Sequence, residues 1–91
     1  MTHNIKIRES FAEAVMSGEK TFEIRKNDRG YQKGDLIQFS VVDDVDIYVD
    51  SELTKHKYRI TYVLSGWGLE KDYVALGIRR EEEGAEQWPT L

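Results

Sequence analysis

The sequence predicts an α+β domain that is mainly β: five or six short strands, one early helix, and no second domain. Three observations carry that reading. Apolar and polar residues alternate in five separate short segments, the two-residue period of a half-buried strand. Helix start and stop signals occur together once, between Ser10 and Gly18. The chain has 91 residues, 40% of them hydrophobic and 11% aromatic, which supports one core near the lower size limit for folding without staples.

The first strand is expected at residues 3–7, His3-Asn4-Ile5-Lys6-Ile7, with Ile5 and Ile7 inward and His3 on the same parity. Ser10 and Glu13 have capping-box spacing, so the serine hydroxyl accepts from the amide at position 13 while Glu13 reaches back. The helix is predicted over residues 11–17, burying Phe11, Ala14 and Val15, with Gly18 at the left-handed C′ position. At about two turns it cannot persist alone and must pack on the sheet.

A second strand at residues 21–25 alternates Phe22 and Ile24, expected toward the core, with Thr21, Glu23 and Arg25 on the other face. Two turn signals, Asn27-Asp28-Arg29-Gly30 and Gln32-Lys33-Gly34-Asp35, bracket Tyr31. Strands follow at 36–42 with Ile37, Phe39 and Val41 on one face, and at 58–64 with Tyr58, Ile60, Tyr62 and Leu64 on one face. The last, at 73–78, turns Val74, Leu76 and Ile78 inward. A sixth short strand is placed around Ile47-Tyr48-Val49. The folded domain is set at residues 1–80. Residues 81–91 have no apolar period and read as an acidic, disordered tail, with Trp88 as an untethered terminal aromatic. So few short strands do not make a sandwich of normal size, but they can curl into a small barrel with the helix packed against it. Patterning by itself leaves barrel and open sheet both available.

Composition narrows the function classes. There is no cysteine, which excludes disulfides, thiolate nucleophiles and cysteine zinc sites and points to a reducing compartment. No apolar run approaches the ~20 residues of a membrane span, and the N-terminus lacks a signal-peptide core, so a cytoplasmic location is expected. Net charge is −4, which argues against tight non-specific binding to a phosphate backbone. The charge is segregated, however. Residues 41–52 carry Asp43, Asp44, Asp46, Asp50 and Glu52, residues 81–91 carry Glu81, Glu82, Glu83 and Glu86, and neither segment holds a Lys or Arg. The remainder of the chain is therefore net positive, and a basic surface is compatible with the acidic total.

The densest chemistry lies between Gly18 and Gly30. Lys20 offers a point charge with three donors, and Arg25 a planar fork suited to bidentate contact or stacking. Glu23 between them repels a phosphate but accepts from an exocyclic amine or ring N–H, so the trio suits a nucleobase or nucleoside better than a bare phosphate. A structural ion-pair network uses the same residues equally well. Lys26 and Arg29, in or beside the turn, are candidates to track a nucleic-acid backbone. Trp67, between Gly66 and Gly68, is expected at a loop tip as a stacking platform, whereas Tyr31, Tyr62 and Tyr73 read as core. His3 reads as a satisfied core or rim histidine, and His56, between Lys55 and Lys57, as solvated. No nucleophile elbow, zinc-protease helix, phosphate loop or dinucleotide fingerprint is present, so no cofactor or metal is expected.

The pattern Gly18-x-Lys20-x-x-Glu23-x-Arg25, followed by Asn27-Asp28-Arg29-Gly30, resembles the signature of the ASCH superfamily. The resemblance runs from His3 through Phe11-Ala12-Glu13-Ala14-Val15, Gly34-Asp35-Leu36 and Thr61-Tyr62-Val63-Leu64 to the segment from Gly68 to Ile78. The chain is thus similar to small bacterial and phage ASCH-type domains. This implies a PUA-like β-barrel and an RNA or modified-nucleoside partner bound through Lys20, Glu23, Arg25, Lys26, Arg29 and Trp67. Some ASCH proteins are amidohydrolases acting on N4-acetylcytidine, with a lysine at the position of Lys20 and a threonine nucleophile at the position of Glu23. A carboxylate stands there in this chain, so binding is expected over hydrolysis and no catalytic residue is assigned. Were the protein an enzyme, Lys20 and Glu23 would carry the reaction. A third reading, a protein-interaction module, draws on the acidic loop and tail.

Overall fold

The computed structural model describes residues 1–81. The elements are β1 (Thr2–Arg8), α1 (Glu9–Ser17), β2 (Phe22–Lys26), β3 (Leu36–Val42), a 3-10 turn (Glu52–Lys55), β4 (Lys57–Ser65) and β5 (Tyr73–Glu81). The strands form one sheet in the order β1-β3-β4-β5-β2. β1 pairs with β3 in parallel, and the remaining neighbours are antiparallel. This is the α+β, mainly β architecture expected from the alternation.

The sheet curls into a half-barrel around Ile5, Ile7, Ile37, Phe39, Ile60 and Leu76, all buried. α1 packs against β1, β3 and the 3-10 turn. Its buried residues are Ala12 and Val15, one turn apart on one face. The two edge strands, β1 and β2, are bridged by side chains. Arg25 Nη1 donates to the Lys6 carbonyl at 2.7 Å, and Arg29 donates to the Asn4 carbonyl. The accepting carbonyls are two residues apart, so they lie on the same edge of β1.

Several local expectations change. β1 runs directly into α1, so the helix starts at Glu9 and its N-cap is Arg8, which makes no side-chain cap hydrogen bond. Ser10 therefore lies inside the first turn, the capping box is not used, and Phe11, about 100° round the helix from Ala12 and beyond Val15 at the margin of the buried face, is exposed. Gly18 does end the helix, at φ 84 with its amide on the Val15 carbonyl. In β4 the register jumps from Ile60↔Ile78 to Tyr62↔Gly77, leaving Thr61 as a bulge that reverses the parity of the later residues in the strand. Tyr62 is consequently 60% exposed, while Val63 packs on the core. The bulge also accounts for Gly77: a Cβ there would sit 2.8 Å from Thr61 Oγ1.

Residues 47–49 contribute one bridge, Val42 to Tyr48, rather than a strand. The 3-10 turn beyond them had no sequence signal strong enough to place it, although its Leu53 is fully buried. The acidic segment is held toward β1, where Arg8 donates to the Asp43 carbonyl at 3.0 Å and lies 3.6 Å from Asp46. His56 is half-buried rather than solvated, with Arg80 Nη2 2.8 Å from its Nε2. β5 continues past Ile78 to Glu81, whose carboxylate pairs with Arg59. The rest of the acidic tail, including Trp88, lies outside the described residues. Among the described residues no helix is long and apolar enough to cross a membrane.

Candidate functional site

β2 alternates as expected, but in the opposite sense. Phe22 and Ile24 are 46% and 50% exposed, whereas Glu23 is 5% exposed. Register explains the inversion. Residues directly opposite each other share a sheet face, and Glu23 pairs with Leu76 while Ile24 pairs with Ala75. β5 commits Val74, Leu76 and Ile78 to the core, so its partner strand turns Glu23 and Arg25 inward and its two apolar residues outward.

Lys20, Glu23 and Arg25 do come together. The Lys20 ammonium donates to Glu23 Oε1 and to the Phe22 carbonyl, the latter at 2.6 Å. Arg25 Nη1 lies 3.6 Å from Glu23 Oε2. Each carboxylate oxygen thus faces its own cation. The Lys20 ammonium also stands over the Phe22 ring at 4.8 Å and the Phe11 ring at 5.5 Å from the centroids. Lys20 and Arg25 side chains retain 16% and 26% exposure, so the cluster opens to solvent through its cations.

The other candidates scatter. Arg29 is exposed and extends the cluster along the β1–β2 seam through Asn4. Lys26 is exposed at the end of β2, beside a shallow hollow that it shares with Gly66, Lys71 and Tyr73. Trp67 is 89% exposed in the β4–β5 connection. Its φ of 55 is followed by φ 87 at Gly68, and the Leu69 amide closes on the Gly66 carbonyl at 3.1 Å. Two consecutive positive φ values mark a type I′ turn, where a tryptophan is unfavourable and Asn or Gly is usual. The tyrosines divide: Tyr31 is buried, Tyr73 half-buried, and Tyr62 exposed, against its expected core placement.

With this geometry in view, the family model described as "Domain of unknown function (DUF3850)" matches residues 2–78. The chain belongs to the DUF3850 family. No curated protein matches. Among solved structures, the crystal structure of hypothetical protein PH0355 is similar, with a TM-score of 0.58 at 18% identity over 89% of this chain and 100% of that one. At that identity the likeness is one of fold. The DUF3850 match encloses the whole of the Lys20–Glu23–Arg25 cluster and the seam beside it.

The second buried polar group is His3, a satisfied core histidine as its parity implied, with a partner that the sequence did not reveal. His3 Nε2 donates to Asp35 Oδ2 at 2.8 Å, and Tyr31 meets the His3 ring edge-on at 4.7 Å between centroids. The same carboxylate oxygen accepts from the Gln32 amide at 3.1 Å. The His3 hydrogen bond, reinforced by Gln32 and the N-terminal ammonium, holds the Asp35 carboxyl below its ordinary value of 3.8, against a smaller opposing effect of burial. The available signals were the inward parity of His3 and a Gly-Asp turn one residue before β3. Neither says that the two ends meet. Among the described residues no cluster of three or more His, Asp or Glu is arranged to hold a metal ion.

Proposed function

We propose that this DUF3850 domain is a PUA-like, ASCH-type binding module of the cytoplasm that recognises RNA or a modified nucleoside through Lys20, Glu23 and Arg25. One observation carries the reading: a carboxylate buried on the inner face of an edge strand, held between two cations that reach solvent. Burying Glu23 costs several kcal/mol before its partners repay it, and apolar side chains of similar size would fill the place at no such cost. An arrangement that stability alone does not favour is a candidate for recognition. The chemistry fits a base edge. Glu23 supplies acceptors for an amine or ring N–H, Lys20 a donor for a carbonyl oxygen, and Arg25 a plane for stacking or a fork for the adjoining phosphate.

Hydrolysis of an N-acylated nucleobase ranks second. It needs an activated nucleophile and a proton donor for the leaving amine, and here the lysine is committed as a donor to Glu23. The test is an amide chemical-shift titration of the labelled protein with single-stranded RNA, transfer RNA, cytidine and N4-acetylcytidine. Shifts centred on β2 and Lys20, absent in Glu23→Gln, are the expected result, with no cytidine released from N4-acetylcytidine. Shifts confined to other elements would remove the site. Cytidine release lost in both Lys20→Ala and Glu23→Gln would make the protein an amidohydrolase.

A further inference from the structure

The outward side of β4, β5 and β2 meets the inner cluster where the Lys20 ammonium stands over the Phe22 ring, and it sets exposed apolar residues between cations. Register places Phe22, Gly77 and Tyr62 in one cross-strand row and Ile24, Ala75 and Leu64 in the next. Three of these, Phe22, Ile24 and Tyr62, are about half exposed or more. Gly77, which has no side chain, stands between the two rings of its row. Cations stand at both ends of these rows: Lys26 beyond Ile24, and Arg59 and Arg79 beyond the Phe22 row, with Lys57 one register step further. The one carboxylate at the outward positions of the three strands, Glu81, is paired with Arg59.

Apolar rows alone would fit a protein partner as well. The charge decides otherwise. In a chain of net charge −4, this face carries four cations and a single, already paired carboxylate, while the acidic 43–50 segment is tied to Arg8 of β1 rather than to these strands. A ligand that matches exposed rings flanked by cations is a polyanion with planar apolar groups at regular intervals. Single-stranded nucleic acid has that chemistry: its bases stack on aromatic side chains and its phosphates meet Lys and Arg. A duplex does not, because its bases are already stacked on each other.

We infer that the outward face of β4–β5–β2 is a track for single-stranded nucleic acid, with bases on Phe22 and Tyr62 and phosphates at Lys26, Lys57 and Arg79. This rests on the nucleic-acid reading of the protein but not on the Glu23 carboxylate, which lies on the opposite face of β2. The track also explains why β2 exposes its two apolar residues.

The test is fluorescence anisotropy with a labelled decauridylate at about 50 and about 200 mM salt. Tyr62→Ala is expected to weaken binding about fivefold or more, and Tyr62→Phe to restore it, as for loss and return of one stacking platform. Arg79→Ala should reduce the slope of log affinity against log salt by about 0.7, one single-strand phosphate contact. Thermal melts establish that each variant is folded. If Tyr62→Ala and Arg79→Ala bind as the wild type while Glu23→Gln loses affinity, the track is overturned and the inner cluster stands. Absence of decauridylate binding by the wild type at the lower salt also overturns the track, and nucleoside titration then judges the cluster separately. Self-association abolished by Tyr62→Ala, without oligonucleotide binding, would assign the face to a second copy and overturn the inference.

Discussion

β3 and β2 belong to one sheet and both alternate, yet they bury opposite kinds of residue. β3 turns Ile37, Phe39 and Val41 into the core, while β2 turns in Glu23 and leaves Phe22 and Ile24 outside. The difference lies in their neighbours. β3 sits between β1 and β4, and its apolar face has core on the inward side whichever partner is considered. β2 has one sheet partner, β5, and inherits its facing from that register, so its own hydrophobicity does not decide which side is in.

Breaking β3 should have the largest effect. Phe39 is fully buried and meets Tyr58 edge-on at 5.6 Å between centroids, so Phe39→Ala is expected to lose about 3–5 kcal/mol in denaturant unfolding. In a domain of this size that is a large fraction of the stability. Next comes the carboxylate that β2 buries. Glu23→Ala leaves Lys20 and Arg25 facing each other without a counter-charge. We expect about 2–3 kcal/mol of destabilisation, below the range for a fully buried pair because both cations keep partial exposure. Lys20→Met combined with Glu23→Leu should recover much of that loss while abolishing nucleoside binding. No recovery would mean that the ion pair is required by the fold, which would weaken the recognition reading.

The same contrast measures how much was legible in the sequence. The number, order and approximate limits of the five strands, the single early helix and the Gly18 stop could be read because each depends on local periodicity or a local φ requirement. The facing of β2 could not, because it is fixed by Leu76, more than fifty residues away. The Thr61 bulge defeated the parity of β4 for a related reason: one unpaired residue moves every later side chain to the other face. As for the site, the meeting of Lys20, Glu23 and Arg25 was foreseen from their spacing. Their burial was not, nor was the bridging of Arg25 and Arg29 to β1, since edge-to-edge proximity is a property of sheet curl.

A smaller effect is expected where a polar contact joins two chain segments rather than two sheet faces. Asp35→Asn removes the charged acceptor for His3 and should cost about 1.5–3 kcal/mol at neutral pH. The pH dependence has a definite sign. The folded-state carboxyl titrates below the ordinary 3.8, so the unfolded chain takes up the proton first, and the stabilisation present above 3.8 is lost as pH falls through the folded value. The stability difference between wild type and Asp35→Asn should therefore shrink as pH falls from about 5 to below 3.8. A difference independent of pH across that range would mean that the carboxylate's charge is not what holds His3.

The smallest effect tests the inversion most directly. Were Ile24 a core residue, as its alternation implies, Ile24→Thr would place a hydroxyl in an apolar site and remove a methyl group, at a cost of about 1–3 kcal/mol. On the outward face, half exposed, the threonine hydroxyl stays hydrated and β-branching is retained, so strand preference is little changed. The expected change is within about 0.5 kcal/mol. The companion substitution Ile37→Thr in β3, where the side chain is fully buried, should fall in the larger range. Unfolding midpoints for the two variants, measured side by side, read the facing of each strand without reference to any ligand. Equal losses would return Ile24 to the core, bring Glu23 to the surface, and remove the physical basis of both the inner cluster and the outer track.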